Sequence, residues 1–235
     1  MIFKKKKIVV DAFTFNENIA KYPIEKTSKY LPDWFKKLKP VHNIDEDNHH
    51  LKVSTFKKCD GIGDLINNTF ALPLWADLSI IVNDDGIYEW KYPSPPYNYG
   101  MEQHPDYHLQ GAFDPLVHAK IKSPWILKEK TGVNFCQIQG FYSFNKQPLQ
   151  IPPGIVNYKY QHSTHINMFL ERSKNYFFEV GTAMVYLLPM TDKKVEIKTH
   201  VVSKEEYNSL SQLSAPQKFM DAYKERKKCP IYGNN

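Results

Sequence analysis

The chain lacks the residue patterns that announce most chemistries. Cysteine occurs only as Cys59, Cys136 and Cys229 in 235 residues, far apart and with no CxxC pair. Three unclustered cysteines exclude a disulfide framework and a zinc knuckle, and point to a reducing cytoplasm. No GxxxxGK[ST] or GxGxxG spacing is present, so the Gly-rich stretch DGIGDLINN (60–68) has no phosphate-loop signature and reads as a turn of helix leading into a strand. No GxSxG elbow marks a serine nucleophile. No apolar run approaches the ~20 residues of a membrane helix. The opening IVVDAF is too short for a signal peptide and meets an acid at once. Glycine (10) is scarcer than proline (16), which implies many short elements and ordered turns rather than long helices.

What the chain does have is aromatic and β-branched sequence. Aromatics make up 14% and apolar residues 42%, a globular composition that leans toward strands. FKKKKIVVDAFTF (3–15) reads as a first strand, a β-branched run flanked by charge, and PDWFKKLK (32–39) as a short helix with Trp34, Phe35 and Leu38 on its apolar face. Residues 41–50 read as a polar surface loop. Asp84-Asp85-Gly86 predicts a hairpin turn between DLSIIV and IYEWKY. Gly132 lies in a turn between two strands, YFFEVGTAMVYLLPM gives a strand, a glycine turn and a buried strand, and KVEIKTHVV alternates as a last strand. Trp75, Trp90 and Trp125 fall on strand-like segments and are expected in the core. Cys136, in VNFCQIQ, reads as a packed small side chain. From Lys204 the spacing turns helical, with Ser203 as the cap. The expected fold is mainly β: a single domain over 1–235, with a β-rich body (1–203) of about eight to ten strands and a helical segment over 204–228. A β-sandwich or β-clip-like barrel fits, with short helices at both ends.

The net charge is +6, concentrated in Lys4–Lys7 and Lys224–Lys228. Such runs read as solvated ends. A nucleic-acid surface would instead require basic residues interleaved with aromatics on one face, and only YKYQH and FKK hint at that.

From Cys59 onward the order of motifs resembles an uncharacterised family found in bacteriophages and bacteria. The likeness is carried by PLWADLSIIVNDDGIYEW (73–90), His104-Pro105 with Gln110, KIKSPWILKEKTGVN (120–134), PGIVNYKY (153–160) with HINMF (165–169), and VGTAMVYLLPM (180–190); it spans roughly residues 30–225. It implies a phage or bacterial origin and no particular mechanism. Residues 154–190 also resemble part of the dUTPase fold, with GIVNYKY at a strand-ending turn and GTAMVYLLP as a closing strand. Asn157 stands where such an enzyme carries aspartate, and an amide cannot act as a general base. That resemblance therefore implies a trimeric nucleotide-binding relative without pyrophosphatase chemistry.

The segment EQHPDYHLQ (102–110) concentrates histidines and acids. His104 and Asp106 form an HxD pair, which in iron(II)/2-oxoglutarate oxygenases supplies two of three facial ligands. His162 could complete the triad, with His165 competing for that role. Arg172, ten residues after His162, could hold the cosubstrate carboxylate. The alternative is a polar loop whose His104 and Gln110 bond to backbone groups. His49-His50 beside Asp45, Glu46 and Asp47 read as solvated polar loop. On balance the sequence points to a non-enzymatic cytoplasmic accessory protein without a cofactor, binding a protein partner or a further copy of itself and not a membrane. Its candidate binding residues are His104, Gln110, Asn157 and Asn167; the oxygenase and the dUTPase-like protein are the alternatives.

Overall fold

A computed structural model describes residues 7–43, 52–92, 101–103, 116–143 and 149–212. In chain order the first third holds β1 (Ile8–Thr14), α1 (Glu17–Ala20), β2 (Glu25–Lys26), α2 (Asp33–Lys37), β3 (Val41–Asn43), β4 (Lys52–Ser54) and α3 (Asp60–Asn68). Then come β5 (Phe70–Pro73), β6 (Leu78–Val82), β7 (Tyr88–Lys91), β8 (Met101–Gln103), β9 (Val117–Glu129), β10 (Asn134–Gln139) and β11 (Leu149–Gln150). The chain continues through β12 (Gly154–Asn157), β13 (Ser163–Leu170), β14 (Lys174–Phe178), β15 (Ala183–Pro189), β16 (Val195–Val201) and α4 (Lys204–Gln212).

The fold is mainly β, as expected, but the strands are shorter and more numerous than the sequence suggests. They form a six-stranded sheet in the order β11-β13-β9-β1-β16, with β8 alongside β9. A five-stranded sheet runs β12-β10-β15-β5-β2, and a three-stranded one β14-β6-β7. The strands β3 and β4 pair on their own, so the expected loop over 41–50 begins as a strand. Among the described residues no sheet closes into a barrel.

One core joins the three larger sheets. Val10 and Ala12 of β1 belong to one buried cluster with Leu72, Ile80, Trp125, Phe135, Met168 and Leu187 from β5, β6, β9, β10, β13 and β15. Strict alternation along β1 buries every second residue from Ile8 to Thr14, as a strand covered on one face requires. Burying one such large apolar side chain stabilises by ~1.5–3 kcal/mol.

Pro124 shapes the long strand β9. It cannot donate to a ladder, and the register with β13 jumps there: Ser163 faces Ile126, but His165 faces Lys122. This irregularity divides β9 between different neighbours. β13 pairs with it on both sides of the irregularity, whereas β8 pairs with its first half and β1 with its second. The Tyr207 hydroxyl of α4 donates to the Pro124 carbonyl at 2.9 Å, and its ring meets Phe15 edge-on. The expected Ser203 cap is present, accepting from the Glu206 amide at 3.1 Å.

Two tryptophans depart from expectation, Trp34 from the covered apolar face of its helix and Trp90 from the core. Trp34 is 45% exposed, because the one face that α2 turns to the body is taken by Phe35, which packs on Tyr142 at 5.6 Å. Trp90 sits on β7, an edge strand, with its ring against Tyr88, and is exposed. Trp75 and Trp125 are buried.

Buried phenols make the fold alkali-sensitive. Tyr158 shares a hydrogen bond of 3.1 Å with Thr164, and burial pushes its hydroxyl up to about 12. Burial does the same to Tyr207 and, helped by Glu102, to Tyr88. Unfolded tyrosine ionises near pH ~10, so the stability these groups hold is intact below that and lost as pH rises toward ~12. For Tyr158 the loss amounts to ~2–3 kcal/mol. Thermal melts followed by circular dichroism should show a falling midpoint between about pH 9.5 and about pH 11.5, with a shallower fall in Tyr158→Phe.

Candidate functional site

His104, Asp106 and Gln110 lie outside the described residues, as do His49, His50 and Cys229. The other candidates fall in separate places. His162 is buried just ahead of β13, and its carbonyl accepts from the Leu127 amide at 2.9 Å. His165, three residues on, belongs to the opposite face of the strand and faces Lys122. Arg172 lies beyond the far end of β13, where its guanidinium packs 3.4 Å from the Cβ position of Gly86 in the β6–β7 turn. Ten residues of nearly continuous strand at ~3.3 Å each separate His162 from Arg172 by about 30 Å. The structure does not bring these two together: the spacing that suggests a cosubstrate clamp is spent along one strand.

Asn157 is a fastener. Its amide nitrogen donates to the Gly132 carbonyl and to Asn134 Oδ1, each at 2.9 Å, and its oxygen accepts from the Lys159 amide at 3.1 Å. Asn167 takes part in a polar ladder on the outer face of the six-stranded sheet. His118 Nε2 bonds Asn167 Oδ1 at 3.2 Å, the His118 ring stacks on Phe169 at 5.0 Å, and Lys120 pairs with Glu102 at 2.5 Å. These are directly facing cross-strand neighbours or their diagonals, the contacts that hold a sheet together. The ladder stands on β8, which leads straight into His104. Among the described residues no three His, Cys, Asp or Glu side chains come together to hold a metal ion. No described helix is long and apolar enough to cross a membrane.

The feature that sequence reasoning missed is the outer face of the three-stranded sheet. Ile81 on the central strand β6 is 48% exposed, Phe177 on β14 is 51% exposed, and Ile87 in the adjoining turn is exposed too. The register sets Ile81 between Asn175 and Glu89, and Ser79 between Phe177 and Lys91, so these side chains share one face. A shallow groove at its border is lined by Asn83, Asp84, Asp85, Ser173 and Asn175. There the Ser173 hydroxyl, on a residue with φ of 56°, donates to the Asp84 carboxylate. The signal was available in the doublets Ile80-Ile81 and Phe177-Phe178. Adjacent strand residues point to opposite faces, so each doublet puts an apolar side chain outside whenever its partner is buried.

Compared with family models and with curated proteins, the chain matches none of either.

Proposed function

We propose that this is a non-enzymatic accessory protein that works by binding, and that its first partner is a second copy of itself, held on the outer face of β14-β6-β7. The sequence resemblance supports a phage or bacterial origin. The exposed thiol of Cys59 supports a reducing cytoplasm as its setting. The observation that carries the reading is the Ile81–Phe177 patch on an otherwise regular sheet. Contiguous exposed apolar surface rimmed by polar residues marks interaction sites. Glu89 and Lys91 stand on the same face of β7. A two-fold pairing of such faces can set the Glu89 of one copy against the Lys91 of the other, the self-complementarity that an isologous interface needs. The reading requires no cofactor.

The test is the double variant Ile81→Lys, Phe177→Lys, followed by light scattering after gel filtration. Both side chains point outward, so folding stability should change by less than about 1 kcal/mol, while the mass falls from two chains to one. A variant that keeps the mass of the unmodified protein places the interface elsewhere.

A further inference from the structure

We propose a second binding surface, for single-stranded nucleic acid, on the module formed by α2, the β3–β4 pair and the 3-10 turn Phe56–Lys58. The tripeptide Phe-Lys-Lys occurs at 3–5, 35–37 and 56–58, and two of these copies, 35–37 and 56–58, belong to this module. The fold brings the two copies together: Lys57 Nζ donates to the Lys36 carbonyl at 2.7 Å. Thr55 fixes the joint further, its hydroxyl donating to the Lys39 carbonyl at 2.6 Å and its amide to the Pro40 carbonyl at 3.1 Å. Phe35, buried against Tyr142, anchors the unit to the body.

The anchored unit displays both chemistries that a single strand needs. Lys36, Lys37, Lys39, Lys52, Lys57 and Lys58 are all exposed, against Asp33 among the described residues of the module and Asp60 just after it. Trp34 is 45% and Phe56 63% exposed, high values for aromatic rings on an ordered element. Lysines neutralise backbone phosphates, and outward rings give unstacked bases a surface to stack on. A duplex hides its base faces and can use only the lysines, so the rings favour a single strand. Basic and aromatic side chains are thus both exposed on one small module, as a nucleic-acid surface needs and a solvated charge run does not.

The experiment is fluorescence anisotropy of the full-length protein with a labelled oligothymidylate of about twenty nucleotides, at salt from about 50 to about 200 mM. Binding is expected to weaken steeply with salt. Trp34→Ala with Phe56→Ala should weaken it about tenfold or more. Lys37→Gln with Lys58→Gln should lower the salt slope by about one to two. The aromatic double variant should keep the mass and melting temperature of the unmodified protein, which separates this surface from the assembly face. The proposal is overturned by any of four results: no binding at low salt, unchanged affinity in the aromatic variant, equal affinity for a duplex of the same length, or binding to phosphatidylserine vesicles without binding to the oligonucleotide.

Discussion

Replacing Gly140 by alanine should abolish stable folding. A Cβ at this position stands 1.9 Å from the Ala183 carbonyl oxygen, 2.9 Å from its carbon and 3.2 Å from the Met184 oxygen. All three atoms are backbone, at the start of β15, the central strand of the five-stranded sheet. They cannot retreat: the Gly140 amide donates to Met184 at 3.0 Å, Ala183 is in register with Pro73, and the Thr182 carbonyl accepts from Leu74 at 2.8 Å. Ordinary overpacking of a core costs ~1–3 kcal/mol. A clash with fixed backbone exceeds that, against a total stability of ~5–15 kcal/mol for a domain. Urea unfolding followed by tryptophan fluorescence should show no cooperative native transition, or a midpoint far below that of the unmodified chain. Gly154→Ala is the control, because its Cβ meets nothing within 4 Å, and it should melt like the parent.

The second large effect belongs to Glu129. Its carboxylate is buried and accepts from the amides of Thr131 at 2.5 Å, Gly132 at 2.6 Å and Val133 at 3.2 Å. Asn157 pins the Gly132 carbonyl from the other side, so the β9–β10 turn is held by two side chains at once. Glu129→Ala leaves three amides without their acceptor, at a cost of ~1–3 kcal/mol for each that water cannot reach. A loss of about 3 kcal/mol or more is expected in urea titrations. Glu129→Gln, which keeps one carbonyl oxygen, should lose about half as much. An equal loss in both variants means that the negative charge, and not the number of acceptors, holds the turn.

The turns were legible because their chemistry is local. Asp84-Asp85-Gly86 forms the expected hairpin, with Gly86 at φ of 83° and Asp85 accepting from the Ile87 amide at 2.9 Å. The glycines of the Lys130–Gly132 and Glu179–Gly181 turns also take positive φ, which only glycine adopts without strain. The parallel pairing of β1 with β16 was not legible. The two strands lie at opposite ends of the described chain, and no short-range pattern records which strand meets which. The site was harder still. Asn157 shows in the sequence only as a missing carboxylate; its gain, a grip on Gly132, depends on a turn twenty-five residues away. The histidines stand out in composition, yet the described ones that were weighed as ligands, His162 and His165, go to opposite faces of one strand. The exposed apolar side chains Ile81, Phe177, Trp34 and Phe56, on which the proposed surfaces rest, were hidden for another reason: apolar residues at strand or helix spacing read as core until the number of covered faces is known.

The central claim, that this protein acts by presenting surfaces rather than by making bonds, rests first on the three-stranded sheet. Sedimentation equilibrium of the unmodified chain at micromolar concentration tests it most directly. A mass of two chains, reverting to one when Ile81 and Phe177 are both lysine, is the expected result. A mass of one chain throughout, up to the highest soluble concentration, contradicts it.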